Sequence, residues 1–151
     1  MTKQRDAIRM SEAEVAALFD ECRSLQVATL GPDGAPHLTT LWFARDGATI
    51  LFETYGKSQK TINLQRDPRI AVLCEAGETY PELRGVSIQG RAEIVDGGER
   101  LLALMGLLVT RNHTELPAEQ VAGVAAKMAE KRVAVVVHAE KTISWDHRKL
   151  G

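Results

Sequence analysis

The chain of 151 residues carries 19 basic and 20 acidic side chains, so its formal net charge is -1. This balance argues against nucleic acid and anionic membranes as partners, because both require a broadly positive surface. The length predicts a single domain over residues 1–151. Its core should be large enough to fold without the support of disulfides or metal ions.

The two cysteines, Cys22 and Cys74, have no CxxC partner and no histidine at zinc-ligand spacing. Two separate, buried thiols are typical of a reducing compartment. The first residues lack the apolar segment of a signal peptide, and no apolar run approaches the roughly 18 residues that span a bilayer. These features predict a soluble, cytoplasmic protein without a metal site.

Helical and extended patterns follow one another along the first half of the chain. Ser11 with Glu14 forms a capping box, which predicts an amphipathic helix over 11–22. The turn sequences PDG and DG then divide three apolar, β-branched runs. These runs predict antiparallel strands at 25–30, 36–44 and 48–54. A short helix at 58–65 ends at DP, before the fourth strand RIAVLCEA.

The second half of the chain adds two long strands and two helices. LRGVSIQGRAEIVD predicts a fifth strand, in which two glycines mark bulges or bends. GGERLLALMGLLV and PAEQVAGVAAKMAEK predict helices, and RVAVVVHAEKTISWD predicts a closing strand. Six strands with peripheral helices, and no alternation of strand and helix, predict a mainly β protein built on an antiparallel barrel.

Cationic and hydroxyl side chains concentrate in YGKSQKTINLQRDPRIAVL, residues 55–73. A strand that turns into a helix presents unpaired N–H groups and a partial positive charge to an anion. Ser58 is placed to cap this helix or to donate to a phosphate, and Lys57 and Lys60 share a face of its first turn. The segment is therefore either a phosphate site or a solvated helix with exposed lysines.

Other candidate residues are less informative. Trp42 and Phe43 alternate across the second strand, so one of them faces the core, and the pattern leaves open which one. The four histidines are scattered, without the spacing of a metal site or a catalytic triad, and no G-x-S-x-G elbow is present. The sequence therefore assigns no catalytic residue.

Several motifs keep a defined order along residues 10–148. They are GPDGAPH in the first hairpin, LWF in the second strand, KSQK followed by NLQRDPR, YPELRGV before the fifth strand, and GRAEIV within it. Together they resemble the split β-barrel superfamily of pyridoxamine-phosphate-oxidase-like flavin and deazaflavin proteins. The chain is most similar to its branch of enzymes that use coenzyme F-420, an 8-hydroxy-5-deazaflavin.

This resemblance implies a six-stranded split barrel that forms a homodimer, with a cofactor in each groove between the protomers. It implies that Lys60 holds the cofactor phosphate, with support from Ser58, Thr61 and Lys57. Thr54 is expected to reach the ribityl chain. Four residues of the second strand are expected along the ring system: Thr39, Thr40, Leu41 and Trp42.

The resemblance also implies an activity, the transfer of a hydride from reduced F-420 to an electron-poor conjugated organic substrate. FMN is the alternative cofactor, because it presents a phosphate to the same lysines. A non-catalytic barrel that binds a cofactor or a tetrapyrrole is a further alternative. The acidic tail of F-420 favours additional cations near the groove. The candidates are Arg5, Lys127, Lys131, Arg132, Arg148 and Lys149.

Overall fold

The computed structural model describes residues 3–151, which form a closed antiparallel barrel of six strands with helices packed around it. The strands are β1 (Ser24–Leu30), β2 (Pro36–Asp46), β3 (Thr49–Tyr55), β4 (Arg69–Ala76), β5 (Arg84–Val95) and β6 (Arg132–Asp146). The helices are α1 (Gln4–Ala7), α2 (Glu12–Glu21), α3 (Gln59–Arg66), α4 (Gly98–Asn112) and α5 (Val121–Ala129). Around the barrel the strands follow the order β1-β2-β3-β6-β5-β4.

The mainly β barrel and its six strands are confirmed, and local signals explain where two of the predicted helices begin. The Ser11 hydroxyl accepts a hydrogen bond from the Glu14 amide at 3.2 Å, which caps α2. Pro117 precedes a short 3-10 turn, Ala118–Gln120, which leads into α5. The four-residue helix α1 carries no signal that predicted it from the sequence.

Two hydrophobic clusters stabilise the fold on opposite sides of the barrel wall. The first fills the barrel and includes Phe43 and Phe52, both fully buried. The second lies between the outer face of the barrel and the helices α4 and α5, and it includes Leu51 and Met105. Phe43 is therefore the core residue of the pair on β2, while Trp42 remains 41% exposed.

Glycine shapes β5 at two positions, and the predicted irregularity of the strand is confirmed at Gly90 but not at Gly85. The register between β5 and β6 shifts between Gln89 and Gly90, and a Cβ atom at Gly90 would collide with the carbonyl of His138. A Cβ atom at Gly85 would collide with the indole of Trp145, which lies across that glycine. Close packing, rather than an unusual backbone angle, therefore requires both glycines.

The strands β2 and β6 each have a neighbour on one side only over more than half of their length. β2 pairs with β1 along residues 36–42, but its pairing with β3 stops at Phe43 opposite Phe52. β6 pairs with β3 as far as Val137, and beyond that residue it pairs with β5 alone. Free edges therefore lie on β2 and on β6.

The structure corrects the prediction of two separate thiols, because Cys22 and Cys74 form a disulfide with their Cα atoms 6.5 Å apart. The two residues are 52 positions apart in the chain, but α2 packs against β4 and brings them together. Spacing along the sequence gave no sign of this contact. Both cysteines are buried, as expected, but the argument from free thiols to a reducing compartment no longer stands.

Candidate functional site

The free edge of β2 faces the segment that contains the predicted phosphate residues. We call the gap between residues 36–42 and 53–61 the split cleft. If the register of β2 and β3 continued past Phe43 and Phe52, Thr39 would lie opposite Gly56 and His37 opposite Ser58. The strands diverge instead, so the backbone groups on this edge of β2 remain without a strand partner.

Hydroxyl groups form a connected network on the wall of the split cleft that belongs to β3 and α3. Thr54 Oγ1 donates to Ser58 Oγ at 3.0 Å, and Ser58 Oγ lies 3.1 Å from Thr61 Oγ1. The Thr61 amide donates to Ser58 Oγ at 3.2 Å, and the Thr61 hydroxyl donates to the carbonyl of Tyr55 at 2.9 Å. The structure therefore brings three predicted site residues together, and Ser58 caps α3.

Two lysines lie beside this network at the positive end of α3. Lys57 is exposed and Lys60 is half-buried, and neither forms an ion pair with any residue in 3–151. Gln59 and Lys60 occupy the first two helical positions, where amide N–H groups have no acceptor one turn earlier. Ammonium and amide donors without a carboxylate are the groups that a phosphate requires.

The body of α3 is anchored beneath the cleft by a buried amide. Asn63 is fully buried, and its Nδ2 donates to Thr29 Oγ1 of β1 at 3.0 Å. Its Oδ1 accepts from Gln59 at 2.8 Å and from Arg66 at 3.1 Å. Arg66 also donates to the carbonyl of Leu30, so this arginine fixes the helix and is not only a surface charge.

The four predicted ring-contact residues of β2 divide between two faces of the strand. Thr39 pairs with buried Val27, so its side chain and that of Leu41 point inward, while Thr40 and Trp42 point outward. A flat ring on one face of β2 would meet only one of these two pairs of side chains. All four residues share the free backbone edge, and an edge-on contact would reach each of them.

Two buried polar atoms near this edge have no hydrogen-bond partner in residues 3–151, His37 Nδ1 and Thr39 Oγ1. A buried polar atom without a partner costs free energy, so such atoms are rare unless a ligand or water completes them. Together with the lysines, they fit a ligand that has a phosphate and hydrogen-bonding ring atoms. His37 is one of the scattered histidines to which the sequence assigned no role, although it lies two residues before Thr39 and so shares its face.

The six additional cations are dispersed over the structure. Lys131 and Arg132 border the split cleft, since the Gly56 amide donates to the Lys131 carbonyl at 3.0 Å and Arg132 pairs with Tyr55. Partial burial lowers the pKa of Arg132, but hydrogen bonds to Tyr55 and Glu53 raise it above its usual value overall. Lys127, Arg148 and Lys149 are ion-paired with carboxylates elsewhere.

Within residues 3–151, no group of three or more histidine, cysteine or acidic side chains could hold a metal ion. No helix of that range has the length and apolar character needed to cross a bilayer.

Comparisons with known proteins identify the family of the chain. A family model described as pyridoxamine 5'-phosphate oxidase matches residues 11–146. A pyridoxine/pyridoxamine 5'-phosphate oxidase of Kineococcus radiotolerans is 37% identical over 79 residues, which are 52% of this chain and 34% of that protein. The chain thus matches about a third of the length of this relative.

Two solved structures extend the similarity to nearly the whole fold. A conserved hypothetical protein of Mycobacterium tuberculosis is 47% identical with a TM-score of 0.92, over 99% of this chain and 93% of that one. An F-420 reductase is 25% identical with a TM-score of 0.65, over 83% of this chain and 93% of that one. By its family match, the chain belongs to the pyridoxamine 5'-phosphate oxidase family and has its split-barrel fold.

Proposed function

We propose that this protein is an F-420-dependent oxidoreductase that transfers a hydride to an electron-poor conjugated organic substrate. The observation that carries the proposal is the split cleft, where Lys57 and Lys60 flank a capped helix N-terminus opposite a free strand edge and pair with no carboxylate of residues 3–151. The similarity to an F-420 reductase supports the same cofactor.

Each wall of the cleft has its own part in binding. Lys60, Lys57 and the amides that open α3 would hold the phosphate, while Ser58 and Thr61 keep the first turn in place. Thr54 sits at the end of the hydroxyl network nearest to the barrel, where a ribityl chain would leave the phosphate. The edge of β2 from Thr39 to Trp42 would orient the ring.

The bound deazaflavin would supply the redox chemistry, because it exchanges electrons as a hydride. The chain binds and orients the cofactor and limits access of water to the ring. No side chain in the cleft forms a histidine–carboxylate pair suited to proton transfer, within residues 3–151. The proton that accompanies reduction would therefore come from solvent or from the substrate.

FMN is the second candidate cofactor. The two charges of a phosphate monoester match Lys57 and Lys60, and this part of the cleft does not distinguish FMN from F-420. Lys131 borders the cleft and forms no ion pair within residues 3–151, which favours a cofactor with an acidic tail, whereas Arg132 already pairs with Glu53 at 3.2 Å. F-420 is therefore the first candidate cofactor and FMN the second.

A titration of the purified protein with F-420 and with FMN tests both candidates, using tryptophan fluorescence. The backbone of Trp42 lies on the split cleft and its indole packs against Arg23 and His113, whereas Trp145 lies against Gly85. Trp42→Phe should therefore remove most of the change, and Trp145→Phe should not. Lys60→Ala should weaken binding by about 1.5–3 kcal/mol, or roughly 10-fold to 150-fold, through loss of a charge-assisted contact.

Lys127→Ala is the matched control, because Lys127 is an exposed lysine on α5 that pairs with Glu130. Equal affinities of the Lys60→Ala and Lys127→Ala variants would show that the phosphate lies elsewhere. Tighter binding of FMN than of F-420 would support the position of the site but identify FMN as the cofactor.

We also propose that the protein is a homodimer and that the partner covers the split cleft. The outer face of the sheet next to the cleft is made of small and apolar side chains. Leu38, which is 70% exposed, pairs with Ala28, and Ala28 pairs with Ala71 on β4. On the same face, Gln26 has a buried oxygen without a partner. Such a face is suited to a second copy of the chain.

Leu38→Glu tests this interface, with Leu102→Glu as the control, since Leu102 is an exposed leucine on α4. Sedimentation velocity at micromolar concentration should show a dimer for the wild type and for Leu102→Glu. Leu38→Glu should sediment as a monomer, because it would bury a charge in an apolar contact. A wild-type monomer would refute the two-protomer site.

A further inference from the structure

A second cavity, separate from the split cleft, lies beside the free edge of β6. It has a volume of about 1090 Å³, and its walls are α1, α2, the turn between β2 and β3, and residues 139–144 of β6. We call it the helical groove. The turn precedes β3 and Ser58 follows it, so the two sites lie at opposite ends of a seven-residue strand. This separation is about 20 Å along the strand.

The floor of the helical groove is part of the barrel core. Met10, Phe19 and Ile88 line it, and they are only 7%, 3% and 5% exposed. Val15, which packs against the same core cluster, adds a side wall. A ligand in the groove would therefore contact apolar side chains whose positions are already set by the packing of the barrel.

The rim of the groove is cationic. Five basic residues line the groove against two acidic residues, Asp6 and Glu12; the basic ones are Lys3, Arg5, Arg9, Arg45 and Lys141. Arg9 pairs with Asp6 at 2.9 Å, and Arg45 pairs with Asp20 at 2.7 Å. Lys3, Arg5 and Lys141 form no ion pair within residues 3–151, so the rim keeps an excess of unpaired positive charge.

The free edge of β6 adds hydrogen-bonding groups to this rim. Residues 138–146 pair with β5 along one edge. Along the other edge, the chain segment that follows α1 supplies hydrogen-bond partners only near the end of β6. There the Asp146 amide donates to the Ile8 carbonyl at 2.7 Å, and the Met10 amide donates to Ser144 Oγ at 3.0 Å. On the edge away from β5, the backbone between Ala139 and Ile143 has no strand neighbour within residues 3–151, and this part of β6 lines the groove.

We propose that the helical groove binds an amphipathic carboxylate, with its apolar chain or ring on the core floor and its carboxylate at Arg5 and Lys141. The volume suits a ligand of the size of a drug molecule or a medium-chain acid. The cationic rim would repel a cationic amphiphile. A neutral amphiphile could lie on the apolar floor, but it has no negative charge to pair with the basic residues of the rim. The proposal does not depend on the identity of the cofactor in the split cleft.

Calorimetric titration of the full chain with dodecanoate, below its micelle concentration, tests the proposal. Dodecanol and dodecyltrimethylammonium have the same chain without the carboxylate. Dodecanoate should bind with one molecule per chain, at least 10-fold more tightly than either comparison compound. Equal binding of all three would show that the cationic rim has no part and would overturn the proposal.

Four variants locate the site. Lys141→Gln and Arg5→Gln should each weaken dodecanoate binding about 5-fold to 10-fold, and Ala139→Phe should abolish it by filling the groove from an exposed strand position. Lys60→Gln should leave it unchanged, whereas the same change should weaken cofactor binding. Loss of dodecanoate binding in Lys60→Gln but not in Lys141→Gln would place the carboxylate in the split cleft and refute the proposal.

A thermal melt of each variant, followed by circular dichroism, separates local effects from misfolding. Lys141 and Ala139 are exposed, so their variants should melt within a few degrees of the wild type. Unchanged dodecanoate affinity in a folded Ala139→Phe variant would also contradict the proposal, because the added ring occupies the groove.

Discussion

β2 and β6 each have a free edge over half of their length, but the two edges have different surroundings. The edge of β2 faces the N-terminus of α3, with Ser58, Thr61 and two unpaired lysines. The edge of β6 faces the sides of α1 and α2, with an apolar floor formed by residues such as Phe19. A free strand edge supplies the same backbone donors and acceptors in both places.

The difference between the two edges therefore comes from the helices next to them. A helix N-terminus presents amide donors and a partial positive charge, which select a phosphate. The side of an amphipathic helix presents apolar side chains, which select an apolar ligand body. The same barrel thus offers one polar site and one apolar site without a change in its strand arrangement.

The largest expected effect concerns Arg111, which fastens α4 to the groove side of the barrel. Its guanidinium donates to the carbonyls of Phe19 at 2.7 Å, Cys22 at 2.5 Å and Phe43 at 3.0 Å. Arg111→Ala should lower the free energy of unfolding by about 2–4 kcal/mol, because several part-buried carbonyls lose their donor. Urea unfolding followed by circular dichroism measures this loss.

Arg111→Lys is the matched variant, and it should recover only part of the stability because an ammonium lacks the planar fork of donors. At temperatures where Arg111→Ala is folded, dodecanoate affinity should fall and cofactor affinity should not, since Phe19 lines the helical groove. An equal loss at both sites would show that the two edges do not behave independently.

A smaller effect is expected at Ser58, the cap of α3. Ser58→Ala should lower the free energy of unfolding by about 1 kcal/mol through loss of the cap. Ser58→Asp should keep that stability, because aspartate also caps helices, but its charge should repel a phosphate and weaken cofactor binding at least 10-fold. Unfolding curves and the cofactor titration together separate the two roles. Tight cofactor binding by Ser58→Asp would contradict the placement of the phosphate.

The smallest expected effect concerns Glu93, which is opposite Val136 and whose side chain contacts His138, the first residue of the free half of β6. Hydrogen bonds from Arg100 and then from His138 lower the pKa of Glu93 to about 2. A carboxyl with a lowered pKa stabilises the fold above its ordinary pKa, and this contribution disappears as the pH falls toward 2. Because the pairs are solvent-exposed, the change should stay below about 1 kcal/mol.

Unfolding curves of the wild type and of Glu93→Gln between pH 5 and about pH 2 measure this contribution. The difference between the two proteins should shrink on acidification, while cofactor binding at neutral pH should be the same. A difference that stays constant or grows at low pH would show that the ion pairs do not stabilise the folded chain.

Much of the fold could be predicted from local signals. The PDG and DG turns, the Ser11 and Ser58 caps and the DP stop lie close to the observed ends of their elements. The phosphate-binding role of Lys60, Ser58 and Thr61 stays a prediction, although the structure does bring these residues together. They lie within one short segment, so their proximity follows from one turn of helix.

Long-range contacts could not be read in the same way. His37 and Thr39 lie on the split cleft because β2 and β3 diverge beyond Phe43. The position at which two paired strands separate depends on packing elsewhere in the barrel. The disulfide between Cys22 and Cys74 depends on the position of α2 against β4. Neither contact leaves a pattern in the neighbouring sequence.

The sequence by itself determined the helices, the strands and the cationic turn, because caps, turn residues and alternating apolar positions act over a few residues. Only the tertiary structure decided which strand edges are free, which face of β2 each side chain takes and that a groove opens beside β6. Those features follow from barrel closure, in which residues far apart in the chain compete for the same space.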